Sequence, residues 1–220
     1  KPIFRIMNHD AHTLREFDAA LSSLNTHLLQ MAYKAQSALD LAVASLLQQN
    51  ESSANRVIAD DEELDELEMT VDREGLHLLA FFSPVASDLK VVLASLRMSS
   101  MYERIGDEAV TIAKRANRNK RPRIREAALA DPVYREMAER FRAVNKAVSS
   151  WDGEALEELV PALEDLAEHA ASLTEAFACL PEQYQDNLVS VADLVFVSRS
   201  LERIAEGLQK VAAEGLYAAS

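Results

Sequence analysis

Met101-Tyr102-Glu103-Arg104-Ile105-Gly106-Asp107 is echoed 99 residues later by Ser200-Leu201-Glu202-Arg203-Ile204-Ala205-Glu206. Held constant, the same offset lays Leu64-Asp65-Glu66-Leu67 on Leu163-Glu164-Asp165-Leu166. A repeating unit of about a hundred residues is too long for one solenoid repeat and suits a three-helix bundle. The chain reads as internally duplicated.

The run before the first copy says what each unit is made of. Leu14, Phe17, Leu21, Leu24, Leu28, Met31, Ala35, Ala38 and Ala42 recur in steps of three and four, which keeps them on one narrow stripe of a long helix. This predicts a helix over 10–48. The polar, cap-forming stretch 50–53 ends it, and a second helix over 53–82 stops before Pro84, which disfavours helix at the preceding residue. A third follows over 84–117 with Pro84 in its first turn. The pattern then restarts, with helices over 131–150, 152–179 and 181–217 and Pro132 just inside the fourth. Only 5 glycines and 6 prolines punctuate 220 residues, of which 49% are apolar, as long helices require. The expected fold is all-α: a first three-helix bundle over 10–117, a basic linker over 118–130, and a second bundle over 131–217.

A formal charge of −13 repels a polyanionic backbone and argues against nucleic acid as a partner. One stretch runs the other way. No acid lies between Ala109 and Arg125, while Lys114, Arg115, Arg118, Lys120, Arg121, Arg123 and Arg125 do. Cations favour a helix C-terminus, so this reads either as a helix end with a solvated linker or as a contact patch for an acidic partner. Arg118, Lys120, Arg121 and Arg123 are the candidate contacts. The single cysteine, Cys179, excludes an internal disulfide and thiolate zinc sites. No stretch reaches the ~18 to 20 apolar residues of a membrane span. No signal-peptide pattern opens the chain, which begins at Lys1 and so reads as trimmed or as part of something longer.

The carboxylates carry the remaining signal. Asp61 and Asp65, and Glu103 and Asp107, are spaced i, i+4, so each pair shares one helix face. With 36 acids in 220 residues, about six such pairs arise by composition alone. Phase says more. On helix two the stripe Val57, Asp61, Leu64, Glu68, Val71, Gly75, Leu78 is mainly apolar, and on helix three Glu103 interrupts Val92, Leu96, Ser99, Gly106, Val110. A carboxylate turned inward costs several kcal/mol, ~3 or more, unless a cation or hydrogen-bond donors meet it. Three readings stand: a hard cation such as iron, manganese, magnesium or calcium, pairing with Arg104, or a solvated face. Glu74 and His77 form one Glu-x-x-His. A di-iron oxidase needs two, and no phosphate loop or nucleophile–base pattern is present.

At this point the sequence resembles a family. Phe17-Asp18 with Leu21, Leu24, Met31-Ala32, Ala35 and Ala38-Leu39 is similar to the opening helix of the PhoU family, and Asp60-Asp61-Glu62-Glu63-Leu64-Asp65-Glu66-Leu67-Glu68 to its second-helix signature. Pro84-Val85-Ala86-Ser87-Asp88-Leu89-Lys90, followed by Tyr102-Glu103-Arg104-Ile105-Gly106-Asp107, is similar to its most diagnostic block. The resemblance covers roughly 14–215. It implies a non-enzymatic, cytoplasmic regulator of phosphate uptake and of the phosphate-starvation response. Such a regulator is often dimeric, peripheral to the membrane at most, and links the phosphate ABC transporter to a sensor histidine kinase. It further implies metal clusters, iron among them, on exposed E(D)xxxD motifs, which Asp61/Asp65 and Glu103/Asp107 match.

In the second half Glu164, Glu202 and Glu206 take those places. There Val160 stands where Asp61 would be, Ala205 replaces glycine, and Pro161 predicts a kink or a late helix start. Glu168, one turn beyond Glu164, partly replaces what Val160 lacks. Two other readings remain: a PhoU-like regulatory domain of a larger sodium–phosphate cotransporter, and a carboxylate-bridged di-metal oxidase.

Overall fold

The computed structural model describes residues 3–118, 130–179 and 188–220, with side chains from Leu14 onward in the first segment and from Val191 in the last. Among them are seven helices and no strand: α1 (Ile3–Gln48), α2 (Glu51–Ala59), α3 (Asp61–Phe82), α4 (Ala86–Arg118), α5 (Asp131–Ser150), α6 (Gly153–Ala178) and α7 (Leu188–Ala219). The six expected spans become seven because the second is broken at Asp60. Neither proline nor glycine marks that break. The Asp60 N–H closes α2 on the Arg56 carbonyl, and its carboxylate takes the Arg56 guanidinium at 3.3 Å, so the turn is held by its own side chains.

Local chemistry accounts for most other boundaries. Asn50 caps α2 by accepting from the Ser53 N–H, and Asp152 caps α6 by accepting from the Ala155 N–H. Two expectations are corrected. Pro84 lies in the α3–α4 connection and not in the first turn of α4, since Ser83 and Ala86 both take left-handed backbone angles (φ 49° and 52°). Pro161 neither kinks α6 into two helices nor delays its start. It lies on the exposed face, where the Glu157 carbonyl it leaves without an intrahelical donor meets water.

In the first half α1, α3 and α4 pack as a bundle with α2 as a short crosspiece, and in the second α5, α6 and α7 form the other. Leu24, Leu28, Met31, Ala35 and Ala42 of the α1 stripe are buried, as their spacing requires. The two bundles meet along α4 and α7, which run antiparallel. Arg97 reaches Glu214 at 3.1 Å, Arg203 reaches Glu108 at 2.9 Å, and Arg115 reaches the buried Asp193 at 2.9 Å. A buried polar node ties α5 to the first half. The Tyr102 hydroxyl donates to Asn145 Oδ1 (3.2 Å), and Asn145 Nδ2 donates to Gln36 Oε1 (3.0 Å) and the Ala32 carbonyl (3.2 Å).

Candidate metal centre

Close packing of α3 on α4 makes the site. A Cβ at Gly106 would meet the Leu64 Cδ2 methyl, so glycine lets Leu64 lie flat against α4 here. The approach brings the carboxylates of both helices to the edge of one open groove. Leu64, Val71, Gly75, Val92 and Val110 take the buried seam. Asp61, Glu68 and Glu103 flank it half-buried, and Asp65 and Asp107 are exposed. The expectation of carboxylates turned into the seam is thus corrected: they line its rim, where water reaches each of them.

The rim is electrostatically unsatisfied. Burial, then the charge of Asp107, then that of Glu68, together with a hydrogen bond with Asp107, lift the Glu103 carboxyl from the ordinary 4.5 to about 7. Burial, Asp107 and Asp65 raise Asp61, against a weak opposing pull from Lys114. Burial and Asp72 raise Glu68, while a hydrogen bond from Ser100 and the Arg104 charge lower it. Like-charged oxygens on both sides of a groove fit a hard cation, because the donor set is all oxygen and the repulsion among them is what a cation would relieve. Among the described residues no three carboxyl, imidazole or thiol groups stand grouped so as to hold a metal ion as they lie. Binding would draw the exposed Asp65 and Asp107 inward.

A stability signature follows from these shifts. Glu103 titrates higher in the folded chain than in the unfolded one. Its contribution to stability is therefore fully present below pH ~4.5 and is lost as pH rises through ~7. Glu103→Gln should match the parent near pH 4 and exceed it at pH 8 by about 1 kcal/mol, a figure discounted because water screens the half-buried group. Urea unfolding of the chelated protein at the two pH values measures it.

The second half is built differently. Glu202 is half-buried and engaged by Arg199 at 2.7 Å, while Glu164, Glu206 and Glu168 are exposed. Both Arg199 and Arg203 stand beside the acids of α7, and Arg203 is also anchored on Glu108. At the 99-residue offset Arg199 corresponds to Ser100. An arginine thus supplies in α7 the charge that α4 lacks. Comparing these two positions reveals that difference in the sequence, and the apolar phase of α3 already flags Glu68 as a member of the rim.

Other candidates fall away. Glu74 and His77 do not act together: Glu74 takes Ser23 (2.8 Å) and His27 (2.9 Å) of α1, while His77 stacks on Phe81. Arg115 of the basic tract is spent on Asp193 and lies over the Phe196 ring, 4.1 Å from its centroid. Arg118 is exposed at the end of α4, and Lys120, Arg121 and Arg123 lie outside the described residues.

Residues 28–116 match the family model of the PhoU domain. A phosphate-specific transport system accessory protein PhoU homolog of Xylella fastidiosa is 28% identical over 214 residues, covering 96% of this chain and 88% of that protein. One of Pseudomonas aeruginosa is 27% identical over 218 residues, covering 94% and 86%. The crystal structure of PhoU from Pseudomonas aeruginosa superposes with a TM-score of 0.85 at 22% identity, over 92% of this chain and 98% of that one. The phosphate transport system regulatory protein PhoU from Streptococcus pneumoniae gives 0.82 at 18% identity, over 92% and 96%. In a domain match over residues 28–116, in relatives along nearly its whole length and in fold, the chain is similar to PhoU proteins.

Proposed function

We propose that this chain is an accessory regulator of phosphate transport that works by contacting other proteins, and not by catalysis. The observation that carries this is its resemblance, over nearly its whole length, to PhoU accessory proteins. In the fuller reading the chain works as a homodimer in the cytoplasm. It relays the state of a phosphate ABC transporter to a sensor histidine kinase. No described helix is long and apolar enough to cross a membrane, which accords with a peripheral role.

The groove between α3 and α4 adds a metal to this reading. Asp61, Asp65, Glu103 and Asp107 would hold a divalent or trivalent cation, iron among the candidates, with Glu68 as a fifth oxygen donor and water completing the shell. Held by residues of both helices, such a cation would supply the positive charge that relieves the repulsion around Glu103 and would link α3 to α4.

Expression of this chain in a bacterium lacking its own PhoU, with a reporter driven by a phosphate-starvation promoter, tests the proposal. Repression in phosphate-rich medium should return with the parent and fail with Glu103→Ala combined with Asp107→Ala. A stably produced parent that leaves the reporter fully active would overturn the regulatory reading.

A further inference from the structure

The corner that joins α3 to α4 carries a second site, independent of the carboxylate groove. Two non-glycine residues, Ser83 and Ala86, hold left-handed backbone angles on either side of Pro84 and Val85. Each such residue costs about 1 kcal/mol and persists only where its surroundings fix it. The corner is therefore held in one shape, and that shape turns apolar side chains outward: Phe81 is 75% exposed and Val85 73%, above every other large apolar residue described. Between the corner and α1 lies a groove of about 360 Å³, lined by Leu14, Phe17, Phe82, Pro84, Val85 and Asp88. Its aromatic wall is packed in advance, with Phe17 edge-on to Phe82 at 5.6 Å and His77 edge-on to Phe82 at 5.8 Å.

A rigid apolar groove of this size takes one or two large side chains without reorganising its walls, which is the costly part of forming a contact. Among the described residues Asp88 is the one charged group lining it, and it makes no ion pair with any of them. The chain as a whole carries −13. A bilayer is a poor occupant, since among the described residues no lysine or arginine lines the groove to meet a lipid headgroup. The chain's own basic residues at the far end of α4, Lys114, Arg115 and Arg118, are a helix length away, about 50 Å for 33 residues. We propose that this groove docks a basic amphipathic segment of a partner protein, its large apolar side chain seated between Phe17, Phe82 and Val85 and its lysine or arginine on Asp88.

The test uses the full chain and random dodecapeptides displayed on phage. The parent should enrich peptides that carry a large apolar residue with Lys or Arg within one helical turn. For those peptides, Asp88→Asn should weaken binding about tenfold, the size expected when one partner of a partly desolvated charge pair is neutralised. Val85→Asp, at a position exposed enough to leave the fold intact, should abolish it. No enrichment, or binding that ignores both substitutions, would overturn the proposal. So would self-association in sedimentation, or retention on zwitterionic or anionic vesicles, that disappears with Val85→Asp. Those results would assign the groove to a second copy or to a lipid surface.

Discussion

Asn145→Leu is expected to lower stability by about 3 kcal/mol, the largest single-residue effect foreseen away from the acidic rim. Asn145 sits where α1, α4 and α5 meet and satisfies three groups at once: the Tyr102 hydroxyl, the Gln36 side-chain amide and the Ala32 carbonyl. Leucine is nearly isosteric, so no cavity opens. The loss comes from polar atoms left without partners in the core. Tyr102 is the worst placed, being fully buried with its ionisation already driven far up by burial. The mechanism has its own check. Tyr102→Phe in the Asn145→Leu background removes the stranded hydroxyl and should recover about 1 to 2 kcal/mol, because deleting both partners of a hydrogen bond costs less than deleting one. Urea unfolding of the four proteins in that cycle gives the coupling. Additive losses would mean that the node does not hold the two bundles together.

Asn145 also marks what the sequence reveals and what it conceals. The α1 stripe is legible because steps of three and four leave one face for burial, and Leu24, Leu28, Met31, Ala35 and Ala42 are buried as that pattern requires, with Ala38 half-buried. Leu14, the stripe's first member, is 62% exposed. Helix α1 outruns the α3–α4 corner, and no local signal records where a neighbouring helix ends. The break at Asp60 is hidden for a related reason: an aspartate in a run of acids reads as helix surface. Asn145 reads as one polar residue within a strongly amphipathic helix, and its three partners come from residues at least 43 positions away. Pro161 misleads in the opposite sense, because a proline on a solvent-facing turn loses only a bond that water replaces.

The candidate site is legible in part. The i, i+4 spacing picks out both carboxylate pairs, and Gly106 signals close approach. Apolar phase places Glu68 beside them on α3. Whether the acids face the seam or its rim depends on the crossing of α3 and α4, which Leu64 and Gly106 set between them. The contrast with the second half lies in several matched positions: Ser100 against Arg199, Asp61 against Val160 and Gly106 against Ala205. Arg199 engages Glu202 with a guanidinium charge where the first half has only the Ser100 hydroxyl.

That contrast yields the most direct test of the account. Metal should be quantified by elemental analysis in protein purified without chelator, in three forms: the parent, Glu103→Ala with Asp107→Ala, and Glu202→Ala with Glu206→Ala. Four carboxylates on α3 and α4 carry enough charge to hold more than one divalent or trivalent ion. The second half offers three, one of them engaged by Arg199, with no ligand at Val160. The first double variant should lose most of the bound metal and the second should lose little. Equal losses would contradict the asymmetry between the halves, and a parent free of metal would reduce the rim to solvated carboxylates.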